Sequence, residues 1–363
     1  MTPAPSVVWY REPGPRVRGS RPLDSGKVQA PCIVSLPDGG YRLFYTGVGP
    51  GKPYAACQGY ILSAVSADGL CFRAEPGIRL APQPGHPHLS LRILAPTVTA
   101  RDRGRWRMYF EARGPAAQPT AICSAVSSDL INWELEEGVR VARPGGVGGP
   151  RYMPLRHGGG RMYCFESVFG SGGHGPGPAD GGQRVAQRIV SAVTSDGLHF
   201  DAEGGCRLPD RQGPLDSAGI TAAQVVAPVV PGGPWTMVYS AWQDLPPGST
   251  APLHPSHDAA AVVSGRSDDF AAASIAADLA GYRSRIFLTR STDPFSWDPG
   301  VCIVEGDGYG ADGIDAIHAE DMSLVALDDG TWRMYYAACD RHGHWCIASA
   351  RSEAPPGFRA QPS

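Results

Sequence analysis

Two acidic side chains and one imidazole stand close together near the C-terminus of this chain, in a segment that otherwise reads as an apolar strand. The residues are His318, Glu320 and Asp321. Carboxylates and an imidazole are costly to bury unless they are paired or take part in chemistry. We therefore predict acid–base catalysis by these residues. A structural polar network or a bound cation is the alternative.

Two further carboxylates, Glu111 and Glu166, end strand-like phrases in the second and third of a series of repeats. Their counterparts in the other repeats are Thr46, Ser240 and Ala337. We expect these strand ends to reach the same face of the molecule as the first acidic group, and we treat both Glu residues as catalytic candidates. A satisfied salt bridge explains each of them equally well.

Polar and aromatic side chains that stand at predicted inner strands, just before them, or at the start of a long insertion are candidates for substrate binding. They are Arg92, Arg151, Asp24, Gln29, Tyr152, Gln224 and Trp242. Asp24 has a counterpart in Asp216, because the phrases PLDSG and PLDSA match. For Arg92, Arg151 and the two Asp residues, a salt bridge without functional meaning is the competing interpretation.

The elements that must position these residues repeat along the chain. One phrase of nine residues occurs four times, as FRAEPGIRL from Phe72, WELEEGVRV from Trp133, FDAEGGCRL from Phe200 and WYREPGPRV from Trp9. A turn aspartate recurs four residues before the aromatic residue, at Asp68, Asp129, Asp196 and Asp293. Aspartate favours turns because its side chain hydrogen-bonds to the nearby backbone. These phrases predict an outer strand that follows a tight turn.

Five inner strands open the repeats, as QAPCIVSL from Gln29, LAPTVTA from Leu94, GPRYMPL from Gly149, QVVAPVV from Gln224 and AEDMSLV from Ala319. Units of four short strands with turn signals between them are typical of a β-propeller. We predict an all-β fold, a five-bladed β-propeller with four antiparallel strands per blade. The last unit lacks an outer strand, so we expect the N-terminal strand to complete it and close the ring.

The repeat boundaries predict one domain over residues 1–363. Because one supersecondary unit forms each blade, the blades span about 28–80, about 93–141, about 149–208, about 222–304 and about 318–353, the last with the N-terminal strand at about 8–17.

Long insertions fall on one predicted face, the upper face, and such loops usually build a binding site. They are Ala81–Leu91, Phe169–Gln187, Trp242–Arg285 and Glu305–Ile317. Within them we predict a short helix over Ser267–Tyr282. The stretch SGGHGPGPADGG is interpreted as a lid or, equally well, as a surface loop.

Composition narrows the class of function. The formal net charge of −3 gives no broad basic face for nucleic acid, and no apolar run reaches membrane-spanning length. The N-terminus lacks a signal-peptide pattern, so we expect a cytoplasmic protein. Nine cysteines stand mostly in strand patterns without zinc spacing, which favours buried thiols. The expected partner is a small-molecule substrate, with no nucleic acid and no membrane; the oligomeric state stays open.

The strand quartets, the phrase DDGTWRMYYAA and the turn phrases give the chain a resemblance to the five-bladed propellers of glycoside hydrolase families 43, 32 and 68. The resemblance implies sugar-directed chemistry by paired carboxylates. The family acids do not carry over: Ala30–Pro31 stands where family 43 has Asp-Pro, Thr97 replaces the acid of the second blade, and no Glu-Gly-Pro phrase heads the fourth. Related propellers often hold calcium near the centre. The sequence shows no recognisable calcium loop, so we predict no cofactor and leave a structural Ca²⁺ in the channel open.

Three functions remain. The favoured one is an enzyme that acts on a sugar or glycosylated compound, a hydrolase with its acids re-sited to Asp321 or Glu320 and to Glu111 or Glu166. The second is a non-hydrolytic cyclase, isomerase or lyase of specialised metabolism that uses one acid, or His318, as a general acid. The third is a carbohydrate-binding propeller without turnover. Fold-level resemblance cannot separate them, because function depends on the site.

Overall fold

The computed structural model describes residues 7–49, 59–114, 118–169, 185–209, 213, 215–216, 219–228, 231–243 and 283–353. Within these ranges the chain is β-structure and loops, apart from one 3₁₀ turn at Asp102–Gly104. The all-β prediction is therefore confirmed for this part of the chain. No helix in it is long and apolar enough to cross a membrane.

The strands group as the repeats predict. The first unit has β3 (Lys27–Ser35), β4 (Tyr41–Val48), β5 (Gly59–Ser66) and β6 (Arg73–Ala74), and the second has β7 (Arg92–Ala100), β8 (Trp106–Arg113), β9 (Ala121–Ser127), β10 (Glu134–Leu135) and β11 (Val141–Ala142). The third has β12 (Val147–Pro154), β13 (Gly160–Phe169), β14 (Val185–Thr194) and β15 (Asp201–Ala202). The fourth has β16 (Gly219–Val226), β17 (Trp235–Gln243), β18 (Arg283–Ser291) and β19 (Val301–Val304). The fifth has β20 (His318–Ala326), β21 (Trp332–Cys339) and β22 (Trp345–Ser352), joined by β1 (Trp9–Arg11) and β2 (Val17–Arg18).

Strands from the two ends of the chain pair with each other. Trp9 lies opposite Ser352 and Arg11 opposite Ala350, both in the antiparallel pairing of β1 with β22. β2 continues along the same strand, with Val17 opposite Ile347. The predicted pairing of the N-terminal phrase with the last unit is observed.

Apolar clusters fill the spaces between consecutive units. Each of five clusters combines side chains of two units. One of these clusters joins the last unit to the first through Tyr335, Ile347, Leu43 and Tyr45. The inner strands β3, β7, β12, β16 and β20 also contact one another in a cycle. Burial of these apolar faces is the main force that holds the units side by side.

The outer strands differ from the prediction. The nine-residue phrase does not form one continuous strand but two short pieces around a turn. The turn glycines Gly77, Gly138, Gly205 and Gly14 all have φ between 74° and 84°, in the left-handed region that favours glycine. The Pro-Gly, Glu-Gly and Gly-Gly dipeptides within the phrase are therefore turn signals inside an outer strand.

One ionic contact recurs in four units, and we call it the strand clamp. An arginine of the second strand donates two hydrogen bonds to a glutamate of the outer strand at 2.7–3.0 Å, and a serine hydroxyl donates to the same carboxylate at 2.6–2.7 Å. The four sets are Arg42–Glu75–Ser63, Arg107–Glu136–Ser124, Arg161–Glu203–Ser191 and Arg333–Glu12–Ser349. Bidentate charge-assisted bonds of this kind are the strong ones.

A hydrogen bond from another arginine joins each clamped unit to the following unit. A second arginine of the outer strand donates to a carbonyl in the aspartate turn of the following unit, as Arg16 to Leu70, Arg79 to Ile131, Arg140 to Leu198 and Arg207 to Phe295, at 3.0–3.3 Å. In each turn the aspartate carboxylate accepts two backbone N–H groups, as predicted. The rigid turn of one unit is thus the docking point of the unit before it.

Replacing Glu12 by Gln is expected to lower the free energy of unfolding by about 2–3 kcal/mol, because the buried guanidinium of Arg333 loses its anionic partner. Urea unfolding measures the change. The control is Asp312→Asn, which breaks an exposed pair with Arg341 and should change the stability by less than about 1 kcal/mol. Equal effects of the two substitutions would show that the N-terminal clamp does not stabilise the fold.

Stability is also expected to fall in acid. Burial alone raises the pKa of Glu203, but hydrogen bonds from Arg161 and Ser191 outweigh it and leave the pKa lowered. Backbone N–H groups of Cys71 and Leu70 lower the pKa of Asp68 to about 2. A group whose pKa is lower in the folded state stabilises fully above its unfolded pKa and loses that contribution as the pH falls through the folded value.

Melting temperatures measured from about pH 5 to about pH 2 should therefore decrease, and the decrease should be smaller in Glu203→Gln than in the wild type. Parallel curves for the two proteins would contradict the assigned role of Glu203.

Candidate functional site

The inner strands share a bulge near one end. The pairing register shifts between Gln29 and Cys32 in β3 and at the matching place in the other four inner strands. Four of the bulges contain one residue in the left-handed region, with φ of 48° at Ala30, 48° at Ala95, 56° at Gly149 and 52° at Asp321. For residues other than glycine this conformation costs about 1–2 kcal/mol, and aspartate tolerates it better than most.

The bulges align Asp321 with Ala30. Each left-handed residue is followed by Pro31, Pro96, Pro150 or Met322, so Met322 does stand in the position of the three prolines. Asp321 thus occupies on the fifth unit the place that Ala30 occupies on the first. By the family resemblance that place is where an acid would stand on the first blade, and here the acid stands in the same bulge of another unit.

The left-handed residues border a cavity of about 70 Å³ at this end of the inner strands. Five residues singled out in the sequence line it, namely Gln29, Glu111, Trp242, Glu320 and Asp321. Three carboxylates from two different units therefore face one cavity. Asp321 is partly exposed, whereas Glu111 and Glu320 are buried to 4% and 2% exposure. Asp321 is the acid most accessible to a ligand.

Glu111 is held rigidly by its neighbours. Arg113 Nε donates to Oε1 at 2.8 Å, and Nη2 of the same guanidinium forms an ion pair with Oε1 at 2.8 Å. The backbone N–H of Gly149 donates to Oε2 at 3.0 Å. Because Gly149 belongs to the floor of the cavity, Glu111 also ties the second unit to the third. Both oxygens of this carboxylate accept charge-assisted or backbone hydrogen bonds, an arrangement that suits a fixed negative charge.

Glu320 lies between an indole and an ammonium group. Trp242 Nε1 donates to Oε2 at 2.9 Å, and Lys27 Nζ is 3.6 Å from Oε1. The ammonium also sits 3.7 Å from the ring centroid of Trp345, in a cation–π contact. His318 stacks on the indole of Trp345, with the ring centroids 5.3 Å apart. Its Nδ1 lies 3.0 Å from Ser284 Oγ. His318 is buried and does not line the cavity, so it supports Glu320 indirectly.

Glu166 lies outside the cavity. In the pairing, Gly148 faces Phe165, just as Leu94 faces Glu111, so the counterpart of Glu111 in the third unit is Phe165 and the sequence alignment was off by one residue. A shift of one residue turns a side chain to the other face of a sheet. Glu166 instead pairs with Arg188 at 3.0 Å and with Arg143 at 3.6 Å.

The remaining binding candidates do not line the cavity. Asp24 accepts hydrogen bonds from Tyr45 and from the backbone of Ser20 and Arg21, and it fixes the loop before β3. Gln224 accepts from the backbone of Leu324, Tyr152 stacks on Tyr109, and Arg92 is buried where β7 bridges β5. Arg151 is buried directly beneath the floor. These five side chains therefore stabilise the strands and loops around the cavity and do not line it.

Sequence reasoning missed several residues that line the cavity, among them Arg113, Phe165, Gln187 and Thr221. Arg113 follows Glu111 by two residues on one strand, so the period of two was a signal that both share a face. Gln187 carries no such signal, because it enters from the start of the third strand of its unit. The predicted helix over 267–282 and the predicted lid over 171–182 lie outside the described residues.

Metal ligands do not gather in the described ranges. No three His, Cys, Asp or Glu side chains there form a group that could hold a metal ion.

No protein-family model and no curated protein matches the chain. Solved structures do match. A β-1,2-mannobiose phosphorylase from Listeria innocua, in complex with β-1,2-mannobiose, superposes with a TM-score of 0.64 at 15% identity over 94% of this chain and 96% of the other. A member of the GH130 family, which contains mannoside phosphorylases and hydrolases that target β-1,2 mannosidic linkages in Candida mannan, gives 0.63 at 14% identity over 100% and 98%. A thermostable family-43 glycoside hydrolase gives 0.61 at 12% identity over 98% of each chain.

These identities establish a shared fold and nothing finer. The chain has the architecture of glycoside-hydrolase-like propellers, and the resemblance drawn from its sequence is confirmed at that level.

Replacing Ala95 by Gly is expected to raise the free energy of unfolding by about 1 kcal/mol, since it removes left-handed strain that exceeds the entropy lost by glycine. The matched control is Ala112→Gly, in β8 next to Glu111, where the same substitution should destabilise the protein. Denaturant unfolding compares the two. Destabilisation of the same size in both variants would mean that the bulge at Ala95 is not strained.

Proposed function

We propose that the chain closes into a ring of five propeller blades, one for each unit described above. Support comes from the pairing of β1 and β2 with β22, from the five apolar clusters and from the cyclic contacts of the inner strands. In such a ring the bulged ends of the five inner strands meet at one central funnel. Ligand-binding sites usually lie in concave clefts of this kind.

We further propose that the protein is an enzyme that acts on a sugar or a glycosylated small molecule in this funnel. The observation that carries the proposal is the set of three carboxylates around one cavity, with Asp321 in the bulge position of the fifth unit and Glu111 on the second unit. Carboxylates that flank a glycosidic bond are the groups that its cleavage needs. Solved enzymes of the same fold act on mannosides, which supports this chemistry by analogy.

Asp321 is assigned the reactive role, as the base or nucleophile. Its side chain is the most accessible of the three, and its backbone is fixed by the hydrogen bond from its N–H to Ser240 Oγ at 3.1 Å. Glu320 and Trp242 form one wall, and Glu111 with Arg113 forms another. Preorganised charges of this kind stabilise charge that develops in a transition state.

One observation favours a second candidate, a non-hydrolytic cyclase, isomerase or lyase. A proton donor must keep a hydrogen on one carboxyl oxygen, whereas the oxygens of Glu111 and Glu320 accept hydrogen bonds or face cations. Chemistry that needs a single base, with no strong acid for a leaving group, fits this arrangement.

Turnover of a panel of aryl glycosides tests the first candidate. Asp321→Asn, Glu320→Gln and Glu111→Gln should each lower kcat/KM by at least about 100-fold, the usual effect of removing an acid or base. Glu166→Gln is the matched control, because this acid directly follows the counterpart of Glu111 in the next unit but lies outside the cavity, and it should retain activity. Melting temperatures of all variants exclude unfolding as the cause.

Leaving-group dependence separates the two candidates. If Glu320 is the proton donor of a hydrolase, Glu320→Gln should slow the hydrolysis of glycosides with poor leaving groups far more than that of nitrophenyl glycosides. The nitrophenolate leaving group departs without protonation. A folded wild type that hydrolyses no member of the panel would reject the hydrolase. Conversion of a panel compound without the addition of water, measured by mass spectrometry as an isomeric product or as two elimination products, would then support the second candidate.

A further inference from the structure

Arg151 lies where the inner strands of four units meet. It lies in β12, two residues after the left-handed Gly149, and is only 5% exposed. Nη1 donates to the carbonyl of Pro96 at 2.9 Å, and Nη2 donates to the carbonyls of Pro31 at 3.1 Å and Met322 at 3.0 Å. One guanidinium on the third unit therefore binds the backbone of the first, second and fifth units.

The three carbonyls are equivalent. Each belongs to the residue that follows a left-handed bulge residue, at Ala30, Ala95 and Asp321 respectively. The guanidinium thus lies immediately beneath the floor of the cavity, where the inner strands converge. It is held by peptide oxygens, since no carboxylate of the described residues lies within ion-pair distance of Arg151. A planar fork with several donors can satisfy such a ring of acceptors in a way that no point charge can.

The charge of Arg151 is only partly compensated. Burial lowers the pKa of Arg151, while the neighbouring Cys32 and Asp321 act in the opposite direction. Cys32, the carboxylate of Asp321 and the carbonyl dipoles are therefore the groups that stabilise this cation in the interior. Conversely, the guanidinium supplies positive charge next to the acid that borders the cavity.

A calcium ion in the channel does not fit these residues. Ca²⁺ needs several oxygen ligands, but the carbonyls of Pro31, Pro96 and Met322 that point inward at this level accept hydrogen bonds from Arg151. A metal placed among them would also face a guanidinium of like charge. The structural Ca²⁺ left open by the sequence is disfavoured at this position.

We propose that Arg151 is the built-in cation of the central channel: it cross-links the inner strands through their carbonyls, and its charge attracts the carboxylate of Asp321, the residue before Met322. The first role concerns folding alone. The second makes Arg151 a positioning residue, and its catalytic meaning rests on the proposed function. The two roles are separable because stability can be measured without any substrate.

Thermal melting with excess Ca²⁺ and with excess EDTA tests the first role in the wild-type protein. The melting temperature should be the same in both conditions, and an increase with Ca²⁺ that EDTA reverses would overturn the proposal. Arg151→Lys keeps the charge but loses the fork, so it should melt several degrees lower than the wild type. An unchanged melting temperature of this variant would equally count against the cross-link.

A double-mutant cycle tests the second role, with Arg151→Met, Asp321→Asn and the double variant. If the two charges attract each other, Asp321→Asn should lower the melting temperature less in the Arg151→Met background than in the wild type, or should raise it. A purely steric role of Arg151 predicts additive shifts, and additivity would overturn the electrostatic part.

Should Arg151→Met fail to fold, the same cycle is run on Arg151→Lys. Because the lysine keeps the charge, Asp321→Asn should then cost about as much as in the wild type; a smaller cost would contradict the proposal. Loss of aryl-glycoside turnover does not enter these measurements, so failure of the proposed function and failure of this inference are distinguishable.

Discussion

The placement of the outer strands depends on the bidentate pairing of an arginine with a glutamate, which recurs across the outer edge of four units. In the strand clamp the arginine belongs to the second strand and the glutamate to the outer strand, which is too short and too interrupted by its glycine turn to hold its place through backbone pairing alone. The same arginine reaches the next unit, as Arg107 does when Nη1 donates to the carbonyl of Asp196 at 3.1 Å. One buried side chain thus fixes both the edge of its own unit and the angle to the following one.

The clamps at the rim and the bulges at the centre solve one geometric problem. Units that are locked at the outside converge at the inside, so their inner strands must bend away from one another where they are closest. A bulge provides that bend and turns one residue toward the cavity. Ala30, Ala95 and Gly149 are small at this position, which leaves room for the cavity, and only Asp321 brings a functional group. The candidate site therefore depends on an acidic residue at a position where the other three left-handed residues are Ala or Gly.

Sequence reasoning predicted what the repeats encode. The inner-strand alignment placed Met322 in the position of the prolines, and the turn aspartates and the pairing of the N-terminal phrase followed from composition and register. It could not predict contacts that no repeat encodes. The place of Arg151 depends on carbonyls up to 171 residues away, and the displacement of Glu166 arose from a single-residue shift that reverses the face of a strand. Local pattern predicts the elements, whereas the exact register and the contacts between distant units appear only in three dimensions.

The fourth unit shows why the clamp is tied to the order of the chain. By register, Thr236, Leu288 and Ile303 take the places of the first arginine, the serine and the second arginine, and no glutamate lies between Trp297 and Val304. The unit after it is the fifth, whose outer strand is formed by β1 and β2. Five residues after Ser349 the sequence has Ala354, whereas the other units have the turn aspartate that would be followed by the acceptor of a second arginine. A buried arginine without that acceptor would be destabilising. The uncharged side chains at these positions avoid the cost. The contact between the fourth and fifth units relies instead on packing and on Asp315, which accepts hydrogen bonds from Arg11 and Tyr336 at 3.0 and 2.8 Å. The unit that lacks the clamp is thus the one that precedes the unit without the turn aspartate.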